Sequence, residues 1–178
     1  MRFASVVLGT LIALVLAVPG AAYLLNPILP RKKGSSDEKS PGTDEFQTLA
    51  VTLNELAVGV PREFPIVVKR QDAWVTYPPE PVGTVWLVRQ EEGTEPPVLA
   101  FTSECPHLGC AIALAADGHG FFCPCHTSAF ALDGERLNHV PPRGMDPLDV
   151  QIPADHSQPI RVKYQRFRTM SEERTPLA

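Results

Sequence analysis

All four cysteines of this 178-residue chain, with two of its five histidines, fall in two short stretches between Cys105 and Phe130. They come as two runs, Cys-Pro-His-Leu-Gly-Cys at 105–110 and Cys-Pro-Cys-His-Thr-Ser-Ala-Phe at 123–130. Each run offers one thiolate and one imidazole with a short spacer, Cys105-x-His107 and Cys123-x-x-His126. Two kinds of metal centre use such a set. In a [2Fe–2S] centre of mixed ligation, Cys105 and Cys123 hold one iron and His107 and His126 the other. In a structural zinc site, the same two Cys and two His surround one ion. The zinc reading gives Cys110 and Cys125, one in each run, nothing to do.

Loops that present ligands need a frame. The segments FQTLAVTL, FPIVVKR, AWVTY, TVWLVRQ and PVLAFTS, between residues 46 and 103, are short, rich in β-branched and aromatic residues, and separated by Pro and Gly. PLDVQI at 147–152 and PIRVKYQRF at 159–167 resume the pattern after the two runs. No helix-length amphipathic stretch interrupts them, and most of the 19 prolines lie in this part, where they suit turns between strands. The fold class is therefore all-β. It is an antiparallel head over 46–168 with a small cluster-binding subdomain inserted at about 101–146. The residues from Thr169 to Ala178 read as a frayed tail. Lys163, Arg166 and Arg168 read as solvated charges, and His119 and His156 as turn residues rather than ligands. A net charge of −4 supplies no electrostatic case for nucleic acid.

Ahead of the head, Phe3 to Leu25 carries no charge. Roughly 23 residues at about 1.5 Å each reach about 34 Å, enough for the hydrocarbon core of a bilayer. Residues 1–33 are thus expected to form a transmembrane anchor with a basic flank, Arg31, Lys32 and Lys33. A cleaved signal peptide with a small-residue site near Gly20-Ala21-Ala22 competes with it, although Tyr23, Leu24 and Leu25 prolong the apolar run. Three basic residues after the segment against Arg2 before it would, by the positive-inside rule, put the head in the cytoplasm. Residues 34–45, GSSDEKSPGTDE, have nothing to bury and read as a spacer or hinge. A coil of roughly twelve residues has a root-mean-square reach of about 20 Å.

The pattern C-x-H-x-G-C followed by C-x-C-H-x-S resembles the disulfide-bearing Rieske iron–sulfur subunits of cytochrome bc complexes. The resemblance covers nearly the whole chain, because an anchor, a hinge and a proline-rich loop stand in the expected order. It implies one Rieske [2Fe–2S] cluster on Cys105, His107, Cys123 and His126, and a disulfide between Cys110 and Cys125. It implies that Ser128 bonds a cluster sulfur. It places Phe130 where high-potential members have a tyrosine whose hydroxyl reaches a cysteine sulfur, which suggests a lower potential and menaquinol rather than ubiquinol as donor. Val140-Pro141-Pro142-Arg143-Gly144-Met145-Asp146 resembles the loop that covers the third side of the cluster, with His139 where a glycine is common. Pro106 and Thr127 stand where the family usually has Thr and Gly.

The function this resemblance implies is electron transfer from quinol to a c-type cytochrome, coupled to proton release, with His107 and His126 as the candidate proton acceptors. The implied partners are cytochrome b-type and c-type subunits, quinol and the membrane. The head is expected on the extracytoplasmic (periplasmic) side of the cell membrane, where a disulfide persists, against the charge rule. Alone, the chain is expected to carry electrons without turnover. The electron-transfer subunit of an arsenite oxidase is the alternative. A Rieske oxygenase would need a second iron-bearing domain, and a soluble Rieske ferredoxin would lack the anchor and normally the extra cysteine pair.

Overall fold

The computed structural model describes residues 2–25, 46–69, 71–72 and 75–177. It separates into two units, Met1–Glu38 and Lys39–Ala178.

The first unit contains α1 (Arg2–Leu25), which forms over the stretch expected as an anchor and carries Pro19 inside it. Counted over the described residues, no helix is long and apolar enough to cross a membrane, so the span remains an expectation. The basic flank at 31–33 and the hinge at 34–45 lie outside the described residues.

The second unit is built of short antiparallel strands. In order they are β1 (Phe46–Thr52), β2 (Arg62–Val68), β3 (Gln71–Asp72), β4 (Val75–Thr76), β5 (Glu80–Arg89) and β6 (Val98–Thr102). They continue as β7 (Ala113–Leu114), β8 (Phe121–Cys123), β9 (Ser128–Phe130), β10 (Asp149–Gln151) and β11 (Pro159–Lys163). A single 3-10 turn, Leu53–Glu55, follows β1 and is closed by a capping box: Glu55 accepts from the Thr52 backbone N–H at 2.7 Å. The strands form sheets in the orders β1-β11-β10, β2-β5-β6 and β7-β8-β9, with β3 and β4 paired as a short hairpin. The expected strand at 73–77 is described only at Val75–Thr76, since Ala73 and Trp74 lie outside the described residues.

The middle sheet decides the architecture. Side chains of successive strand residues point to opposite faces. On β5, Val85 and Leu87 join one core while Trp86 and Val88 join another. On β6, Val98 and Ala100 face the first and Phe101 the second. Covered on both sides, β5 reads as a continuous apolar run and not as an alternation. The first core also takes Leu49 and Val51 from β1, Ile66 from β2, and Ile160 and Val162 from β11. The second holds Ile112, Phe121, Phe130 and Met145 together with Cys105 and Cys123. Sheet β2-β5-β6 is thus a wall with an apolar base on one side and the cysteine-bearing loops on the other.

The C-terminus departs from the expectation of a frayed tail. Residues 166–177 fold back as a hairpin-like strap, with Arg168 N–H on Thr175 O at 2.9 Å and Leu177 N–H on Arg166 O at 2.8 Å. Phe167, buried in the base core, pairs with Pro176 across it. The basic residues here are not all idle: Arg166 meets Glu104 at 2.7 Å in an exposed pair.

Candidate metal centre

Residues 105–110 make a closed turn. The Cys105 N–H bonds Cys110 O at 2.8 Å, and the Gly109 N–H bonds Cys105 O at 2.8 Å. Gly109 sits at φ +76°, backbone that a side chain resists. The turn keeps Cys105 buried at its base and leaves His107 half-exposed and Leu108 exposed at its crest.

The second run, 123–128, links β8 to β9, whose pairing sets Cys123 opposite Ser128. The Thr127 N–H bonds Cys123 O at 3.0 Å, closing the hairpin. Thr127, where the family pattern has glycine, adopts φ +61°, the left-handed backbone a glycine would take without strain. Asn138 holds that residue by donating to Thr127 O at 2.7 Å and also accepts from the Ala129 and Val140 N–H groups. Cys123 is buried and His126 exposed.

The two turns meet in three places. Cys110 and Cys125 form a disulfide, with Cα atoms 6.6 Å apart, as the resemblance implied. The rings of His107 and His126 stand edge to face with centroids 4.9 Å apart. Cys105 and Cys123 are both unpaired and buried, and Cys105 lies against Cys123 and 3.6 Å from the Ser128 hydroxyl. Cys123 Sγ is also within 4.8 Å of both disulfide sulfurs, but those two are oxidised and cannot serve as thiolates.

Burial pushes the Cys105 thiol up from its ordinary value. The His107 backbone N–H and the Ser128 hydroxyl act the other way by bonding the sulfur. Both groups aim partial positive charge at an atom that otherwise lies in apolar surroundings, and they favour it as a thiolate. Ser128 is fully buried and Phe130, two residues on along β9, is likewise sealed in the second core.

The proline loop, 140–146, is held in place by polar ties that the sequence reading did not foresee. Arg136 donates to the carbonyls of Pro141 and Pro142 at 3.0 and 2.7 Å. Arg143 and Asp146, both buried, face each other through two parallel bonds of 2.7 Å. Asp146 takes a third contact from Arg174 of the strap at 3.1 Å. Gly144 is required by packing: a Cβ there would come within 2.5 Å of Gly134 O. Trp86 reaches from the wall to donate to Ile112 O at 3.1 Å, tying β5 to the first turn. His119, exposed with its backbone in an Asp117 turn, and His156, exposed beside Asp155, stay in turns as expected.

The donor set suits a [2Fe–2S] group of mixed ligation. Two adjacent buried cysteines are kept as thiols, two imidazoles face each other at the solvent side, and the other two cysteines are withdrawn as a disulfide. Fold and site together define a Rieske iron–sulfur protein. The family model for the Rieske [2Fe–2S] domain matches residues 58–151, and the chain belongs to that family.

Two curated relatives refine the class. The menaquinol:cytochrome c reductase iron–sulfur subunit of Geobacillus thermodenitrificans is 30% identical over 79% of this chain and 75% of its own length. The subunit of the same name from Bacillus subtilis strain 168 is 29% identical over the same shares. The chain is thus of the iron–sulfur subunit type found in bacterial cytochrome bc complexes. Among solved structures, the cyanobacterial plasma membrane Rieske protein from Synechocystis PCC 6803 matches at 24% identity and a TM-score of 0.38, covering 55% of this chain and 86% of that one. These relatives lend no support to the arsenite oxidase alternative.

Proposed function

We propose that this chain takes electrons one at a time from quinol, with menaquinol the donor, and hands them to a c-type cytochrome. Cys105 and Cys123 would hold one iron of the cluster as thiolates, and His107 and His126 the other through one ring nitrogen each. When bound, the cluster supplies a one-electron acceptor. The rest of the chemistry belongs to the chain. Each imidazole would turn its second nitrogen to the surface, where, once that nitrogen has lost its own proton, it would accept a hydrogen bond from a quinol O–H and take the proton as the electron leaves. Both rings are accessible, and the neighbouring Leu108 offers apolar surface for a hydrophobic ring system. Buried Ser128 and the His107 N–H hold charge on the sulfurs in place. The menaquinol assignment is supported by the relatives' names and by Phe130, which brings no hydroxyl to the cysteine sulfurs.

The observation that carries this reading is the sorting of four cysteines into one disulfide and one buried thiol pair beside two facing imidazoles. α1 would anchor the protein in the membrane, residues 34–45 would act as the hinge, and the head would work on the extracytoplasmic side, where its disulfide persists. A cytochrome b-type subunit would form the rest of the quinol pocket.

The test is a redox titration of the full chain in detergent, followed by EPR across pH. A mixed-ligand two-iron signal with a pH-dependent midpoint is expected, because electron and proton are taken up together in the proposed reaction. Colourless protein loaded with zinc and free of acid-labile sulfide ends the proposal. Menaquinol that fails to reduce the cluster in the presence of the partner subunits ends the donor assignment alone.

A further inference from the structure

The strap at the C-terminus touches the first metal-binding turn at one point. The Met170 N–H donates to Pro106 O at 2.9 Å. Pro106 O belongs to the same peptide unit as the His107 N–H, and in a planar trans peptide the two groups point in opposite directions. The far end of that unit, the His107 N–H, is the group that bonds the Cys105 sulfur. One planar unit therefore has the strap at one end and a cluster thiolate at the other.

The strap is held firmly where it makes this contact. Buried Arg143 donates to Ser171 O and to Arg168 O, the carbonyls on either side of Met170. Arg174 closes the loop onto Asp146, the carboxylate already paired with Arg143. The Thr169 methyl lies 3.7 Å from where a Gly109 Cβ would stand, so the strap runs alongside the turn. Met170 itself adopts φ +57°, left-handed backbone unfavourable to a residue with a side chain. Strain of this kind persists only where surrounding contacts over-determine it. Here the two carbonyls on Arg143 and the Pro106 contact do so.

We propose that the strap sets the cluster's reduction potential at one remove, by fixing the Pro106–His107 peptide so that its N–H stays on the Cys105 sulfur. A hydrogen bond to a sulfur ligand favours the more negative, reduced state and raises the potential. Loosening the strap lets the peptide rotate, weakens that bond and lowers the midpoint. Met170 and Arg174 are positioning residues and touch neither metal nor quinol. The inference rests on the ligand assignment made above.

The experiment uses the full chain in detergent, with the midpoint read by EPR-monitored titration and needing no partner. Met170→Pro removes the donating N–H and cannot take a positive φ. Met170→Gly keeps the donor and takes that backbone freely. Met170→Pro should titrate at a lower midpoint with shifted g-values at normal iron content, and Met170→Gly should match the parent. Identical midpoints and spectra in all three proteins overturn the inference. If Met170→Pro yields no loaded protein, amide hydrogen exchange decides. Met170 and His107 should be protected in the parent, and Arg174→Ala should speed exchange at both. Unprotected exchange at Met170 in the parent, or a response to Arg174→Ala at one amide and not the other, overturns it. The two possible failures are separable. A parent chain with no two-iron signal sinks the ligand reading and this inference with it, whereas a normal parent signal with unmoved variants sinks the strap alone.

Discussion

The two sides of the β2-β5-β6 wall are held together in opposite ways. On the base side, side chains such as Ile66, Leu87, Ile160 and Val162 are fully buried, and apart from the three-residue β10 the strands around them run for five to ten residues. On the ligand side the strands are two or three residues long, and the loops between them cannot all be covered without hiding the histidines. Cross-links take over there. A disulfide, a buried Arg143–Asp146 pair, an asparagine on Thr127 and a C-terminal strap replace much of the burial that a larger core would give. A site whose histidines must stay exposed has to be stiffened by directional bonds, because apolar packing works by closing space.

Substitutions on each side can break or sharpen this contrast. The largest effect is expected from Arg143→Met, which leaves the buried Asp146 carboxylate with Arg174 as its one remaining cation partner. Removing one member of a buried pair costs about 3–5 kcal/mol. Denaturant unfolding should show the loss, and iron content should fall with it. Leu87→Ala on the base face, where Leu87 is 0% exposed, should cost about 2–5 kcal/mol through transfer and cavity effects. Its EPR signal should keep the parent g-values. A changed spectrum would show that the two sides are not separable.

Replacing Cys110 and Cys125 together by Ser opens a loop with a sequence separation of 15 and should cost about 3 kcal/mol in the chain-entropy account. More of that loss should appear as faster cluster release on incubation with a chelator than as a change at the base. Phe130→Tyr is the mildest. It adds one hydroxyl to a fully buried ring in the core that also holds Cys105 and Cys123. If the hydroxyl bonds a sulfur, the midpoint rises by roughly 40 mV for each 1 kcal/mol of preference for the reduced state. An unchanged or lower midpoint refutes the role given to position 130.

How much of this was legible in the chain depended on which physical signal marked it. The base strands announced themselves through β-branched runs between prolines: β1, β6, β10 and β11 fall within segments read that way, and β2 and β5 overlap theirs but start two and four residues earlier. The wall itself was not legible. TVWLVRQ gives no alternation because both of its faces are covered, and only the structure shows that Trp86 and Leu87 serve different cores. Strands β7, β8 and β9 are too short for any period to register. The cysteines and histidines were plain from type and spacing, and the disulfide followed the resemblance. What escaped were residues whose work depends on long-range pairing. Arg143, Asp146 and Arg174 look like ordinary surface charges in a sequence, and Met170 like the middle of a loose end. Asn138 carried a faint signal, as an asparagine near a turn that can bond backbone groups.

Because Val85 and Leu87 alternate with Trp86 and Val88 along one strand, neither core of the head can melt while the other stands. Heating should give a single calorimetric peak for the head, with no early step for the metal-bearing end. The two imidazoles thus keep one orientation relative to the apolar base, because a single strand serves both cores.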